Sequence, residues 1–291
     1  MIQRVLIVGA THGNEFTGAY IVKKLRNNQN LAQRSTFGTF TLLANPQAFA
    51  EARRYIDKDL NRCFRWEDLQ DLTRSTYEEV RAKEINETFG KEGQTPVDVI
   101  FDLHTTTANM GLTVIIYPYS FNLKMAAYLQ RINPLVKVLV LPESKLGYSG
   151  LPSICGLGCT IEVGAISSGV LQAELFQWTE ALIDHALDYL EYYNRGELPS
   201  LDPMLTAYQQ MGTIDYPRDD AGDIQAMIHP QLQFQDYEPL NPGDPVFLSF
   251  DGDDILYKGD VTTYPIFINE AAYYEKGIAM ILTQKQEFEL Y

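Results

Sequence analysis

Four residues in this chain are of the right type, and sit in the right kind of place, to hold a metal ion and activate water. His12 and Glu15 lie three residues apart, directly after the apolar run Val5–Val8. His104 closes the run VIFDLH, and Glu162 stands between Ile161 and Val163 in CTIEVG. Two neutral imidazoles and one carboxylate, with a fourth position left to water, make a catalytic zinc ligand set. A carboxylate held among apolar residues has a raised pKa, which suits a general base. Each group also has a plainer reading: a histidine can be a satisfied polar residue, and Glu162 a salt-bridged structural glutamate. The chain has only four histidines, and two of them follow apolar runs, so the zinc reading stands level with the plainer one on spacing alone. His185, on a helical pattern, reads as structural, and His229, before Pro230, reads as a loop residue.

Arg53, Arg54, Arg62 and Arg65 cluster in ARRYIDKDLNRCFR, within a chain of net charge −15. A guanidinium fork matches a carboxylate in two-point contact, so the cluster suggests local recognition of an acidic small molecule. Surface ion pairs with Asp57 and Asp59 are the plainer reading for Arg53 and Arg65. The overall charge argues against nucleic acid, whose phosphates need dense Lys and Arg, and against anionic lipid. Cys63, Cys155 and Cys159 are too few and too odd in number for a disulfide framework, which points to a reducing cytoplasm. Cys155 and Cys159 read as small buried residues beside a strand rather than zinc ligands. There is no secretory leader pattern and no apolar run of the ~20 residues that span a bilayer. The turn GATHG lacks the G-x-G-x-x-G of dinucleotide sites, and no G-x-S-x-G or H-E-x-x-H is present.

The elements that must position these groups are legible as alternating patterns. Apolar runs predict strands over Val5–Val8, Phe40–Ala44, Val97–Leu103, Leu112–Tyr117, Val136–Leu141 and Thr160–Val163. Helical patterns cover Thr17–Arg26, Tyr77–Phe89, Leu123–Arg131 and Ala173–Tyr193, with Gly90 where a terminating glycine would stand. The alternation predicts an α/β fold, a mixed sheet with helices on both faces. In such sheets ligands bind beyond the carboxyl ends of the strands, where His12 and His104 fall. RGELPSLDP, with Gly196, Pro199 and Pro203, reads as a linker. It divides a domain of residues 1–197 from a smaller β-rich domain of residues 198–291 that caps the site, with strand-like runs PVFLSF and YPIFIN.

In order along the chain, GATHGNEFTG, YIDKDLNRCF, FDLHTTTANMG and IEVG resemble the aspartoacylase and succinylglutamate desuccinylase branch of the zinc carboxypeptidase superfamily. The resemblance continues through DYPRDDAGDIQAMIHPQLQFQDYEPLNPGDPVF and VTTYPIFINEAAYYEK, and so covers nearly the whole chain. It implies a zinc-carboxypeptidase-like fold with one Zn2+ per subunit, bound by His12, Glu15 and His104. It implies Glu162 as the base for the attacking water and Arg54 as the group that polarises the scissile carbonyl. Asn61 and Arg62 match a pair that holds the substrate α-carboxylate, and Tyr148 and Tyr273 match pocket tyrosines. Glu270 matches a glutamate that fixes the pocket from the second domain. Asp59 and Asp102 are candidates for orienting Arg or His side chains, with a purely structural role as the alternative.

The activity so implied is hydrolysis of an N-acyl-L-amino acid, N-acetyl-L-aspartate first. One departure bears on the substrate. Aspartoacylase carries an arginine ten residues before the catalytic glutamate, where it grips the aspartate side-chain carboxylate; here that position is Pro152. A relative acting on N-acyl aromatic amino acids also lacks it, which makes aromatic or neutral N-acyl amino acids the alternative. Lys145 is a candidate substitute charge. Thr105 replaces the asparagine of the family's DLHNTT. A non-catalytic zinc-binding interaction protein would need a broken site, yet every ligand and base position is filled. The family's oligomeric habit and the aromatic-rich second domain leave a homo-oligomer open.

Overall fold

A computed structural model of the chain describes residues 1–142 and 150–290. Its centre is a nine-stranded mixed sheet in the order β11-β12-β7-β5-β4-β6-β3-β1-β2. β1 (Arg4–Gly9) lies between β2 (Gly38–Leu43) and β3 (Val99–Thr105), parallel to both. Val5, Leu6, Ile7 and Val8 are all 0% exposed, as expected of a parallel strand covered on both faces. β6 (Gly158–Gly164) runs parallel beside β3. β1, β3 and β6 therefore end on one side of the sheet, and the site is built there. β4 (Gly111–Ile116) is antiparallel to β6, and β5 (Val136–Val140) is parallel to β4.

Helices cover the sheet: α1 (Phe16–Asn27), the short α2 (Pro46–Ala50) and α3 (Trp66–Gln70), α4 (Tyr77–Phe89), α5 (Ser120–Ile132) and α6 (Ala173–Arg195). The four long helices fall where the apolar periodicity predicts them. α4 begins with a capping box in which Thr76 and Glu79 exchange side-chain-to-backbone bonds. α6 ends at Gly196, whose φ of 70° is the left-handed conformation that closes a helix. Gly90 does follow α4, but at an ordinary φ of −65°. Its need for glycine is steric, because a Cβ would fall 2.6 Å from the Asn86 carbonyl oxygen.

Two glycines set how close α1 comes to the sheet. A Cβ on Gly9 would meet the Gly18 carbonyl oxygen at 2.2 Å, and one on Gly18 would meet Leu103 at 2.7 Å. This contact places the turn from Thr11 to Glu15 directly over the ends of β1 and β3.

Residues 196–203, without helix or strand, join α6 to β7. The C-terminal part is β-rich. β7 (Met204–Ile214) and β12 (Met280–Glu289) form a long antiparallel pair, and β7 also pairs with β5. The C-terminal part therefore extends the large sheet as well as forming its own three-stranded sheet of β8 (Ala226–Ile228), β9 (Pro245–Ser249) and β10 (Asp254–Leu256). Tyr216, Phe247, Ile268 and Met280 belong to its separate apolar core. PVFLSF forms β9. YPIFIN is strand only over β11 (Tyr264–Ile266), because Phe267 and Asn269 take positive φ of 51° and 60°. That break turns Glu270 back toward the first part. Among the described residues, no helix is long and apolar enough to cross a membrane.

Candidate active site

The turn after β1 brings His12 and Glu15 to the end of β3, where His104 projects. All three are buried, each 4% exposed. Their ligand atoms all lie within 4.8 Å of one another. Glu15 Oε1 is 2.6 Å from His12 Nδ1, and Glu15 Oε2 is 3.0 Å from His104 Nδ1. The two Nδ1 atoms are themselves 3.2 Å apart. Each ring is held from behind by a carboxylate: His12 Nε2 lies 3.0 Å from Asp59 Oδ1, and His104 Nε2 lies 2.8 Å from Asp102 Oδ2. Asp102 in turn accepts from the Thr11 hydroxyl at 2.7 Å.

This donor set fits a zinc ion. With the ring protons assigned to the nitrogens facing Asp59 and Asp102, both Nδ1 lone pairs converge on the Glu15 carboxylate. Three electron pairs meeting in a buried space call for a cation. Carboxylates behind histidine ligands are the usual means of fixing their tautomer and orientation. Burial opposes charge on Glu15, but His12 and then His104 hold its carboxyl well below the usual range. Burial likewise opposes a charged His104, yet Asp102 and then Glu15 hold its pKa well above the ordinary value.

Glu162 stands on β6 directly opposite His104 in the β3–β6 register. It is 8% exposed and lines the same cavity as His12, Glu15 and His104. Burial raises its carboxyl well above the ordinary range; Glu15 and Glu270 add to this, while His104 and Arg54 oppose it.

The arginine cluster divides. Arg54 reaches the site, donating from Nη1 to Glu15 Oε1 at 3.0 Å, with Nη2 3.6 Å from Asp59 Oδ2. Among the described residues, its Nε is buried without a hydrogen-bond partner. Arg53 instead points outward, 3.4 Å from Glu51 rather than from Asp57 or Asp59. Asn61 and Arg62 sit on the 3-10 turn Leu60–Arg62, which Asp59 caps by accepting the Asn61 N–H. Both line the same cavity. Asn61 Oδ1 accepts the Leu151 N–H at 2.8 Å, and Arg62 Nη1 donates to the Asn61 carbonyl at 2.8 Å.

The C-terminal part supplies the facing wall through the 3-10 helix Ala271–Lys276. Tyr273 and Lys276 line the cavity. Glu270 Oε2 accepts from the Thr106 hydroxyl and, at 2.8 and 3.0 Å, from the Thr107 N–H and hydroxyl. It thus ties down the turn after His104. Pro152 lines the cavity and brings no charge to it. Tyr148 and Lys145 lie outside the described residues. His185 is on α6 and His229 follows β8, and neither belongs to the group formed by His12, Glu15 and His104.

Two contributors escaped the sequence reading. Glu78 is 0% exposed and organises the loop that carries Arg54, Asn61 and Arg62. Its carboxylate accepts from the backbone N–H groups of Ile56, Asp57 and Lys58 at 2.6, 3.0 and 3.1 Å, and from Asn45 Nδ2 at 3.0 Å. In sequence it is one of two acidic residues opening α4, where helix-dipole preference already accounts for it. Lys276 is the other; only a tertiary contact with Asp59 brings it to the site.

Comparison with known proteins gives the family. The profile of the succinylglutamate desuccinylase/aspartoacylase catalytic domain matches residues 1–190, and that of the AstE/AspA barrel-sandwich hybrid domain matches residues 203–285. A protein of Nostoc sp. named "Probable aspartoacylase" is 58% identical over 98% of this chain and 97% of its own length. The N-acyl-aromatic-L-amino acid amidohydrolase (carboxylate-forming) of Mus musculus is 41% identical over 97% of this chain and 90% of its own. The crystal structure of murine aminoacylase 3 superposes with a TM-score of 0.93 at 39% identity, covering 99% of this chain and 97% of that one. The mixed sheet, its β-rich extension and these matches along nearly the whole sequence place the chain in the succinylglutamate desuccinylase/aspartoacylase family.

Proposed function

We propose that this protein is a zinc-dependent amidohydrolase that removes the acyl group from an N-acyl-L-amino acid, N-acetyl-L-aspartate foremost. The observation that carries the reading is the convergence of His12 Nδ1, His104 Nδ1 and the Glu15 carboxylate beside a buried, cavity-facing Glu162. His12, Glu15 and His104 would hold one Zn2+ per subunit. When bound, zinc supplies a Lewis acid for the amide carbonyl and a water acidic enough to ionise near neutral pH. Glu162 takes the proton of the attacking water and returns it to the leaving amine. Its raised pKa supports both transfers. Arg54, which lines the cavity, polarises the reacting carbonyl and steadies the developing oxyanion, a contribution of about 3–4 kcal/mol for such donors. Arg62 and Asn61 bind the α-carboxylate, so that binding energy orients the amide. Tyr273 and Tyr148 are assigned to the substrate pocket, and Glu270 keeps the turn after His104 in place.

The division into residues 1–197 and a capping part 198–291 belongs to the same reading: the cap supplies Tyr273 and excludes peptides. A cytoplasmic setting accords with three free thiols at Cys63, Cys155 and Cys159.

A second reading takes N-acyl aromatic or other neutral amino acids as substrates. Pro152 favours it, as do the apolar walls that Ile115, Leu139, Leu141 and Ile281 give the cavity. Initial rates on N-acetyl-L-aspartate and N-acetyl-L-tyrosine separate the two. Release of amino acid from neither would refute the amidohydrolase reading.

A further inference from the structure

We propose that Lys276 is the specificity-determining cation of this site, contributed by the C-terminal part to bind the second carboxylate of an acidic N-acyl amino acid. This rests on the amidohydrolase reading and names its substrate class.

Among the described residues lining the cavity, the permanent cations are Arg54, Arg62 and Lys276. The first two are assigned to the carbonyl and the α-carboxylate. Pro152 removes the guanidinium that would otherwise meet a side-chain carboxylate. Among the described residues, Lys276 is therefore the remaining cation on this surface. It ends the 3-10 helix Ala271–Lys276, and its side chain is only 21% exposed. Nζ lies 3.0 Å from Asp59 Oδ2 and 5.2 Å from the centre of the Tyr273 ring. Asp59 uses its other oxygen on His12 Nε2. One carboxylate and one imidazole ring thus separate the ammonium from the metal-ligating Nδ1, which keeps it within reach of a small dicarboxylate bound there.

An ammonium has three donors. Asp59 takes one, and no other hydrogen bond to Lys276 exists among the described residues. The surroundings also favour an incoming anion. Burial, with Arg62 and Arg54 nearby, outweighs Asp59 and holds the ammonium pKa below the usual lysine value. A second carboxylate beside it would favour its charged form. Lysine meets it as a point charge without the bidentate fork, so discrimination depends on charge more than on the shape of the acidic group.

The test compares kcat/KM on N-acetyl-L-aspartate and its neutral near-isostere N-acetyl-L-asparagine, for the zinc-loaded wild type, Lys276→Met and Lys276→Arg. The wild type should prefer the aspartate derivative. Lys276→Met should shrink the aspartate-to-asparagine ratio by about 10- to 100-fold, the loss expected for a hydrogen bond to a charged group. The loss should appear mainly in KM, and Lys276→Arg should restore most of the ratio. Calorimetry with L-aspartate and L-asparagine reads the same discrimination without turnover, and thermal unfolding confirms that the variants fold. A ratio unchanged in Lys276→Met, or a wild type without preference for the aspartate derivative, overturns the role of Lys276 and leaves the amidohydrolase reading intact. A wild type that hydrolyses neither derivative, nor N-acetyl-L-tyrosine, refutes that reading instead.

Discussion

Glu78 touches no part of the cavity, yet replacing it should disable the site. Its two oxygens satisfy three consecutive backbone N–H groups, from Ile56 to Lys58, and the Asn45 amide in a fully buried position. Glu78→Ala leaves those donors without acceptors. Each buried unsatisfied donor costs roughly 1–3 kcal/mol, and water entering the vacated space offsets part of that. A net loss of about 3–5 kcal/mol follows, which places the variant among the severe single substitutions. For a chain of this size that is a fall in Tm of about 10 °C or more. The loop that loses its anchor carries Arg54, Asn61 and Arg62, and a misplacement near 1 Å lowers kcat/KM by about 100-fold. Glu78→Gln keeps the shape but turns an amide NH2 toward backbone donors, so it should fall between the two. Thermal unfolding and steady-state kinetics on the same preparations check this. A Glu78→Ala protein that loses under about 1 kcal/mol and keeps its kcat/KM would refute the view that this carboxylate builds the arginine loop.

Other outcomes follow from the same geometry. Glu162→Gln should keep its zinc, measured by competition with a chromogenic chelator, while kcat falls by about 10²- to 10⁴-fold. In the wild type, the acting base is the ionised form of a carboxyl that burial pushes up. Turnover should therefore fall at acid pH as Glu162 is protonated, and the residual rate of Glu162→Gln should follow a different pH profile. Gly18→Ala forces a methyl against Leu103 on β3. It should destabilise the fold by about 1–3 kcal/mol, read by chemical denaturation.

Much of this arrangement was legible before any coordinates, for reasons that differ by region. β1 is buried on both faces and appears as an unbroken apolar run, while β3 and β6 are buried apolar runs interrupted by acidic residues, so polar residues within or just after these strands stand out. His12, Glu15, His104 and Glu162 were visible for that reason. β7 and β12 were not, because each is buried on only part of its length and its polar residues blur the alternation. Their pairing, which carries the large sheet into the C-terminal part, depends on contacts between residues far apart in sequence. Asp59 and Asp102 could be suspected as orienting groups, but only the structure pairs each with one ring nitrogen. Glu78 was hidden for a different reason: an acidic residue in the first turn of a helix already has a sufficient local explanation. Lys276 was hidden because its partner lies in another loop. Tyr148 and Lys145 stay as sequence expectations outside the described residues.

The most direct test of the central claim is to measure zinc content and release of free amino acid from N-acetyl-L-aspartate and N-acetyl-L-tyrosine together, before and after chelation, in the wild type and in His104→Ala. The account predicts one zinc per chain, hydrolysis of at least one derivative, loss of hydrolysis on chelation with recovery on adding zinc, and neither tight zinc nor turnover in His104→Ala. Hydrolysis that survives complete removal of metal, or a zinc-loaded wild type that cleaves neither derivative, would contradict it.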